Sequence, residues 1–163
     1  MTRYSVSVHV GENQYYIQDE NQAGETQFRP DRNGVVRVTE HGGLHVIAGT
    51  NTGSLRLTVD LLDEEPCLEL DGWDEAADVG YRATTDNARL AGYPGAPVQG
   101  IPAVSHAGPG SYRIRFHMRG RDDPRNENPF TVVEEHRIAV WPSPWRSTTV
   151  HKATDDTGRR HRQ

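Results

Sequence analysis

A single-domain, all-β antiparallel sandwich of the jelly-roll kind, with at most one short helix, is the fold this sequence predicts. Three observations predict it. Apolar residues recur at every second position in segment after segment, the period of a half-buried strand. Gly, Pro and Asn interrupt these segments at short intervals, as turns do. The alternating helices that a parallel α/β sheet requires have no counterpart in the pattern. At 163 residues the chain can bury one substantial core. Its 34% hydrophobic content is low, but regular alternation argues against disorder.

The elements follow in order. Tyr4, Val6, Val8 and Val10 alternate with polar residues, Gly11-Glu12-Asn13 turns the chain, and Tyr15-Tyr16-Ile17 resumes it, which reads as an opening hairpin. Residues 20–34, with Pro30 and Asn33-Gly34, form a loop. Short strands are expected over 35–38 and 44–48, separated by His41-Gly42-Gly43, and 49–53 turns again. Leu55, Leu57, Val59 and Leu61 line one face of a strand that Asp63-Glu64-Glu65-Pro66 ends. Residues 73–81 carry a helix signal in Ala and Glu and a strand signal in Val79, Tyr81 and Ala83, so either remains open. Four prolines between 92 and 110 mark a long connection, with one short extended piece at 98–104. A strand over 110–121, a polar loop and a final strand over 130–141 form a hairpin, and Trp141-Pro142-Ser143-Pro144-Trp145 stops it because proline cannot continue a paired strand. The domain is expected over 1–146, with 147–163 a polar flexible tail.

No apolar run approaches the roughly 20 residues that span a bilayer, and the first ten residues lack the apolar block of a signal peptide. Cys67, the single cysteine, excludes an intramolecular disulfide and any cysteine-based metal cluster, and it reads as a small core residue. A cytoplasmic, cofactor-free protein is the expectation. The net charge of −5 is uneven: residues 1–100 carry −9 and residues 101–163 carry +4. Strands from the two halves that lie side by side would neutralise each other.

The stretch GSYRIRFHMRGRDD, followed after a polar loop by VEEHRIAVWPSP, resembles a loosely defined set of uncharacterised bacterial β-sandwich proteins with a GxYRxRxxxRGRD strand before an EExxxxxWPxP strand. That resemblance implies the fold and no activity. The stretch GWDEAADVGYRATTDNARLAG is similar to the ComJ competence nuclease-inhibitor family, which implies a protein that binds and restrains another, with no catalytic residues.

Several constellations bear on function. Arg113, Arg115, His117, Arg119 and Arg121 share one strand face, while Tyr112, Ile114, Phe116 and Met118 share the other. The apolar set is expected in the core. The basic set is expected as an outer stripe, partly met by Glu134 and Glu135, that docks an acidic protein partner. Nucleic acid is not the expected partner: the net charge has the wrong sign and no aromatic residue shares the basic face. Trp141 and Trp145 either cap the sandwich or extend the docking surface. His41 and His45 have a spacing that ligates metal on a helix, but two intervening glycines argue against one. Asp71, Asp74, Glu75 and Asp78 read as a solvated acidic face. No nucleophile elbow or phosphate-binding glycine loop occurs.

The expectation is therefore a non-catalytic protein-binding module of inhibitor, immunity or accessory type, using Arg113, Arg115, Arg119, Arg121, Trp141 and Trp145. The alternative is a small-molecule or carbohydrate binder, or an enzyme, with a cleft lined by Trp73, Asp74 and Tyr81. A concave aromatic cavity with convergent polar groups would favour the alternative.

Overall fold

The computed structural model describes residues 2–163. Its strands in chain order are β1 (Thr2–Val10), β2 (Gln14–Gln18), β3 (Val36–Val38), β4 (Leu44–Ile47), β5 (Gly53–Leu61), β6 (Glu75–Ala83), β7 (Arg89–Gly92), β8 (Ala96–Pro97), β9 (Gly110–Arg119), β10 (Glu135–Pro142) and β11 (Thr149–Ala153). One helix, α1 (Asp156–Arg162), follows. The strands form a six-stranded sheet of order β1-β5-β10-β9-β6-β11 and a five-stranded sheet of order β3-β4-β2-β7-β8. The all-β, single-domain reading holds. Pairing is antiparallel except between β5 and β10, which run parallel.

One apolar cluster fills the space between the sheets. The larger sheet contributes Val8, Leu57, Ile114, Phe116, Ile138 and Val79; the smaller contributes Tyr15, Ile17, Val36, Leu44, Val46 and Leu90. Tyr112, Ile114, Phe116 and Met118 all lie in it, as the alternation predicts. β9 and β10 form the expected hairpin, with Phe116 opposite Ile138.

Four departures from the sequence reading, and the helix-or-strand alternative it left open at 73–81, have physical causes. First, Glu12 and Asn13 take positive φ (51° and 62°), as in a tight hairpin turn, but only Gly11 and Gln14 pair; β1 and β2 then diverge into opposite sheets. Both faces of β2 carry aromatic residues, so Tyr15 can reach the core while Tyr16 faces outward. Second, residues 75–83 are strand: β9 on one side and β11 on the other supply backbone partners that override the helical preference of Ala and Glu. Third, the extended piece of the proline-rich connection is β8, at 96–97 rather than 98–104. Fourth, the last predicted strand begins at Glu135, and Phe130 stands 92% exposed. Fifth, residues 147–163 are not a loose tail. β11 pairs with β6, and α1 is pinned by its cap Asp155, which accepts from Gly158 N at 2.7 Å, and by Asp122, which accepts from Asp156 N and Thr157 N.

Residues 62–74 leave β5 and cross the outer face of the six-stranded sheet. Pro66 O accepts from Arg115, Gly72 O from Arg119 and Leu70 O from Lys152. This course leaves Cys67 exposed rather than in the core. No helix among the described residues is long and apolar enough to cross a membrane.

Candidate functional site

The basic stripe of β9 is largely internal. Arg113, Arg115 and His117 point away from the core, as parity requires, but the 62–74 segment and the 143–148 segment cover them, and all three are buried. Arg115 forms a bidentate pair with Asp78 on β6, at 2.6 and 2.9 Å. Arg113 donates to Arg146 O at 2.7 Å, and His151 Nε2 lies 3.1 Å from Asp78. Burial pushes the Asp78 carboxyl up, but Arg115 and His151 outweigh it and hold it below the usual carboxylate range. Burial, reinforced by Arg137 and Arg115, drives His117 down to about 4, against its hydrogen bond to Arg137 O and the charge of Asp78. Arg119 alone of the stripe is exposed; it pairs with Glu135 at 2.7 Å and stacks on Trp73 at 4.6 Å.

Arg121 is sealed in a different place. It pairs bidentately with Asp155 at 2.8 and 2.9 Å and donates to Gly34 O and Ile47 O, which ties β4 to the entry of α1. Glu75 lies beside it and is held by Arg162 and by Asp155 N at 3.0 Å. Gly49 is obligatory against this strand exit: a Cβ there would meet Arg121 O at 1.9 Å. The acidic cluster is therefore not a solvated face. Asp78 and Glu75 are ion-pair partners, Asp74 accepts from Gly120 N, and Asp71 alone stands exposed. Glu134 does not meet the stripe. It accepts from Thr50 N and Thr50 Oγ1, and from His136 Nε2 at 2.6 Å.

Trp141 is 2% exposed and packs with Leu62 and Ala139 beneath Arg115, so it is not an anchor for a partner. Trp145 is 48% exposed and lies over Gly80, where a Cβ would meet its ring at 2.7 Å. The predicted cleft does not form. Tyr81 faces the core, while Trp73 packs on His117 at the opposite end of β6. His117 stands opposite Ala76, five strand residues from Tyr81, which is roughly 17 Å. His41 is exposed and pairs with Glu25, whereas His45 is buried on β4. Among the described residues, no group of three or more His, Cys, Asp or Glu is arranged to hold a metal ion.

A groove that the sequence reading missed lies on the outer face of the five-stranded sheet. Arg37 on β3, His45 on β4, Tyr16 on β2 and Ala91 on β7 stand directly opposite one another in one row across four strands. Their neighbours along each strand, Val36 or Val38, Val46, Ile17 and Leu90, point into the core. His45 meets Tyr16 edge-on at 4.8 Å and Phe28 edge-on at 5.1 Å. Tyr93 stacks toward Tyr16 at 6.4 Å, and the Arg37 guanidinium lies 3.7 Å from the centre of Phe28. Three open cavities meet at Arg37. One of about 410 Å³ holds the aromatic residues and His45. One of about 460 Å³ extends over His45 and Ile47 to Arg160 and His161 of α1. One of about 330 Å³ is bounded by Phe28, Arg29, Arg32 and His161.

Two features mark this groove as a place for a ligand. His45 is 8% exposed, and its Nδ1 is buried with no hydrogen-bond partner. Such a group costs free energy unless something completes it. Burial, with help from Arg37, holds His45 down at about 4, so at neutral pH the ring is uncharged and offers one donor and one acceptor. Second, Arg29, Arg37 and Arg160 make no ion pair among the described residues, while Arg32 donates to the oxygen of the last residue, Gln163, at 2.5 Å. Carboxylates share the lining: Glu12, Asp122, Asp123, Glu127 and Asp156 toward α1, Glu12 and Glu25 beside the aromatic residues, and Asp31 in the third cavity. Strand parity could have shown that Tyr16, Arg37 and His45 face outward. It could not show that three strands place them side by side.

No protein-family model matches this chain, and no curated protein matches it. Among solved structures it is similar to a chain titled "Crocagin biosynthetic gene J", at 13% identity and a TM-score of 0.46, over 88% of this chain and all of that one.

Proposed function

We propose that this protein is a non-catalytic binding module whose ligand occupies the groove on the outer face of the five-stranded sheet. The observation that carries the reading is the row Arg37, His45, Tyr16, with the buried and unpartnered His45 Nδ1 at its centre. Concave, aromatic-lined sites with a few convergent polar groups are the usual form of small-ligand pockets.

Two observations favour binding over catalysis. A proton-relay chain does exist, in which the Tyr15 hydroxyl lies 2.8 Å from His136 Nδ1 and His136 Nε2 lies 2.6 Å from Glu134. The carboxylate can only accept, which places a ring proton on Nε2. All three residues are sealed in the core, where no substrate reaches them. In the groove, His45 with a pKa of about 4 is a weak base at neutral pH, far from the matched value that proton transfer favours.

The test is a ligand-observed and protein-observed NMR screen of small aromatic, sugar and anionic fragments. Saturable amide shifts at Tyr16, Arg37 and His45 are expected; hits that shift only other surfaces would defeat the reading.

A second reading, binding of another protein, rests on exposed apolar residues elsewhere on the surface. Trp145 is half exposed with Arg82 beside its ring, and Phe130 and Val132 stand exposed on the loop before β10. Arg119 is the one stripe residue that remains accessible to such a partner. Capture of a protein partner that Trp145→Ala and Phe130→Ala abolish, with groove variants neutral, would favour it.

A further inference from the structure

Independently of the groove, we propose that β1 is a self-association edge, which pairs antiparallel with β1 of a second copy of this chain about a two-fold axis centred on Ser5. The two sheets end at four strands, β1 and β11 in one and β3 and β8 in the other. Three of these edges are blunted. β11 has five residues, a break in register between Val150 and Lys152, and a lysine. β3 has three residues, and its outer side is taken by Arg29 N, which donates to Val38 O, and by the bridge from Phe28 to Thr39. β8 has two residues and ends in Pro97. Short strands, charges, prolines and bulges are the devices that keep sheet edges from pairing. β1 has none of them: it runs nine residues, TRYSVSVHV, in unbroken register with β5, without proline, glycine or lysine. Its arginine, Arg3, is drawn away to Asp60 on β5 at 2.7 Å.

The direction of the backbone groups fixes the register. His9 O accepts from Tyr93 N, so the main-chain groups of His9 face away from β5. Antiparallel alternation then turns Thr2, Tyr4, Val6 and Val8 toward β5, and the N–H and C=O of Arg3, Ser5 and Ser7 toward the open edge. Ser5 paired with Ser5 of the second copy sets Arg3 opposite Ser7. Each of those groups then finds a partner, and His9, already engaged by Tyr93, stays outside the ladder. The side chains agree. Tyr4 and Val6 lie half-buried at the rim of the core, and this register sets each opposite the other. Aromatic and β-branched residues make favourable cross-strand pairs. On the outer face exposed Ser5 meets Ser5 and exposed Arg3 meets exposed Ser7, so no like charges stand directly opposite. Centring on Val6 or Ser7 would call on the occupied His9, and centring on Arg3 would set two arginines face to face.

The experiment is sedimentation of the full chain over a range of concentrations. One paired edge is a small interface, so the mass should rise from monomer toward dimer between about 10 µM and about 1 mM. Ser5→Lys sets two lysines directly opposite each other, and Ser5→Pro removes the central donor; both should stay monomeric throughout. Ser5 is exposed with its N–H outward, where an edge strand tolerates proline, and melting curves confirm that each variant folds. Cross-linking reads the register. In a Cys67→Ser background, Ser5→Cys should form an intermolecular disulfide at least about tenfold faster than Ser7→Cys. The two Ser5 Cα atoms would lie about 5.5 Å apart, within disulfide reach, whereas the two Ser7 positions would be roughly 14 Å apart. A monomer at every concentration would overturn the proposal and leave the edge to a partner of another kind. A dimer that both Ser5 variants leave intact would overturn it by placing the contact elsewhere, and equal cross-linking rates would overturn the register. None of these results bears on the groove, whose own test reads Tyr16, Arg37 and His45.

Discussion

The two outer faces of this sandwich use the same residue types for opposite ends. On the six-stranded sheet, Arg113, Arg115, His117 and Trp141 are covered by chain segments; Pro66 O and Asp78 take the Arg115 fork, and Arg113 donates to Arg146 O. On the five-stranded sheet, Arg37, His45, Tyr16 and Phe28 form the same kind of constellation, but open cavities remain beside them. Arginine and aromatic content is therefore not what makes a binding surface. What matters is whether the protein's own chain has already filled the place that a ligand would take. Buried ion pairs reward this completeness and punish its loss, since an orphaned buried charge costs more than the pair contributed.

That contrast can be broken most severely at the C-terminal segment. Ending the chain at Thr154 removes Asp155 and Arg162 together and takes from the buried Arg121 and Glu75 their closest charged partners. The expected outcome is loss of the fixed near-ultraviolet circular dichroism of the native core, whereas a loose tail would be removed without effect. Next in size, Arg115→Ala should cost about 3–5 kcal/mol in urea denaturation, because Asp78 would remain buried without its bidentate partner. Phe116→Ala, on the core side of the same strand, should cost a similar roughly 3–5 kcal/mol through its cavity. An exposed stripe would instead have given Arg115→Ala under about 1 kcal/mol.

The pH dependence sharpens the comparison further. His117 has a native pKa of about 4 against an unfolded value near 6.5, so between these limits the unfolded chain binds the proton and the native protein does not. The stability His117 contributes is full above about pH 6.5 and is lost as pH falls toward 4, by about 3 kcal/mol in total. His117→Asn should flatten that slope in denaturation measured across this range. His45 adds a slope of the same sign, and a groove ligand that donates to its neutral ring should bind less well as pH falls toward 4. The smallest expected change is Arg37→Gln, within about 0.5 kcal/mol of wild type by thermal melting, because Arg37 is exposed and makes no ion pair among the described residues.

The alternation rule located the core side of β1, β5 and β9, and it assigned Phe116 and Arg113 to opposite faces. It failed to say which outward face would be covered. Parity places Arg115 outside the core, but the burial of Arg115 depends on Pro66 and Asp78, which lie 49 and 37 residues away. The sequence HKATDDTGRRHRQ reads as a tail because it has almost no apolar content. Its order comes instead from polar anchors at long range: Asp122 to Thr157, Glu75 to Arg162 and Arg121 to Asp155. A seven-residue helix has too little intrinsic stability to be read locally without them. The groove was hidden for the same reason. Arg37, His45 and Tyr16 each look like an ordinary outward residue, and only the strand order β3-β4-β2 makes them one row.

Arginine-specific labelling with phenylglyoxal, read site by site by mass spectrometry on the native protein, tests the contrast between the faces most directly. The account predicts fast modification of Arg37 and Arg160, and protection of Arg113, Arg115 and Arg121 until the protein is denatured. Modification of Arg113, Arg115 or Arg121 in the native state at the rate of Arg37 would contradict it.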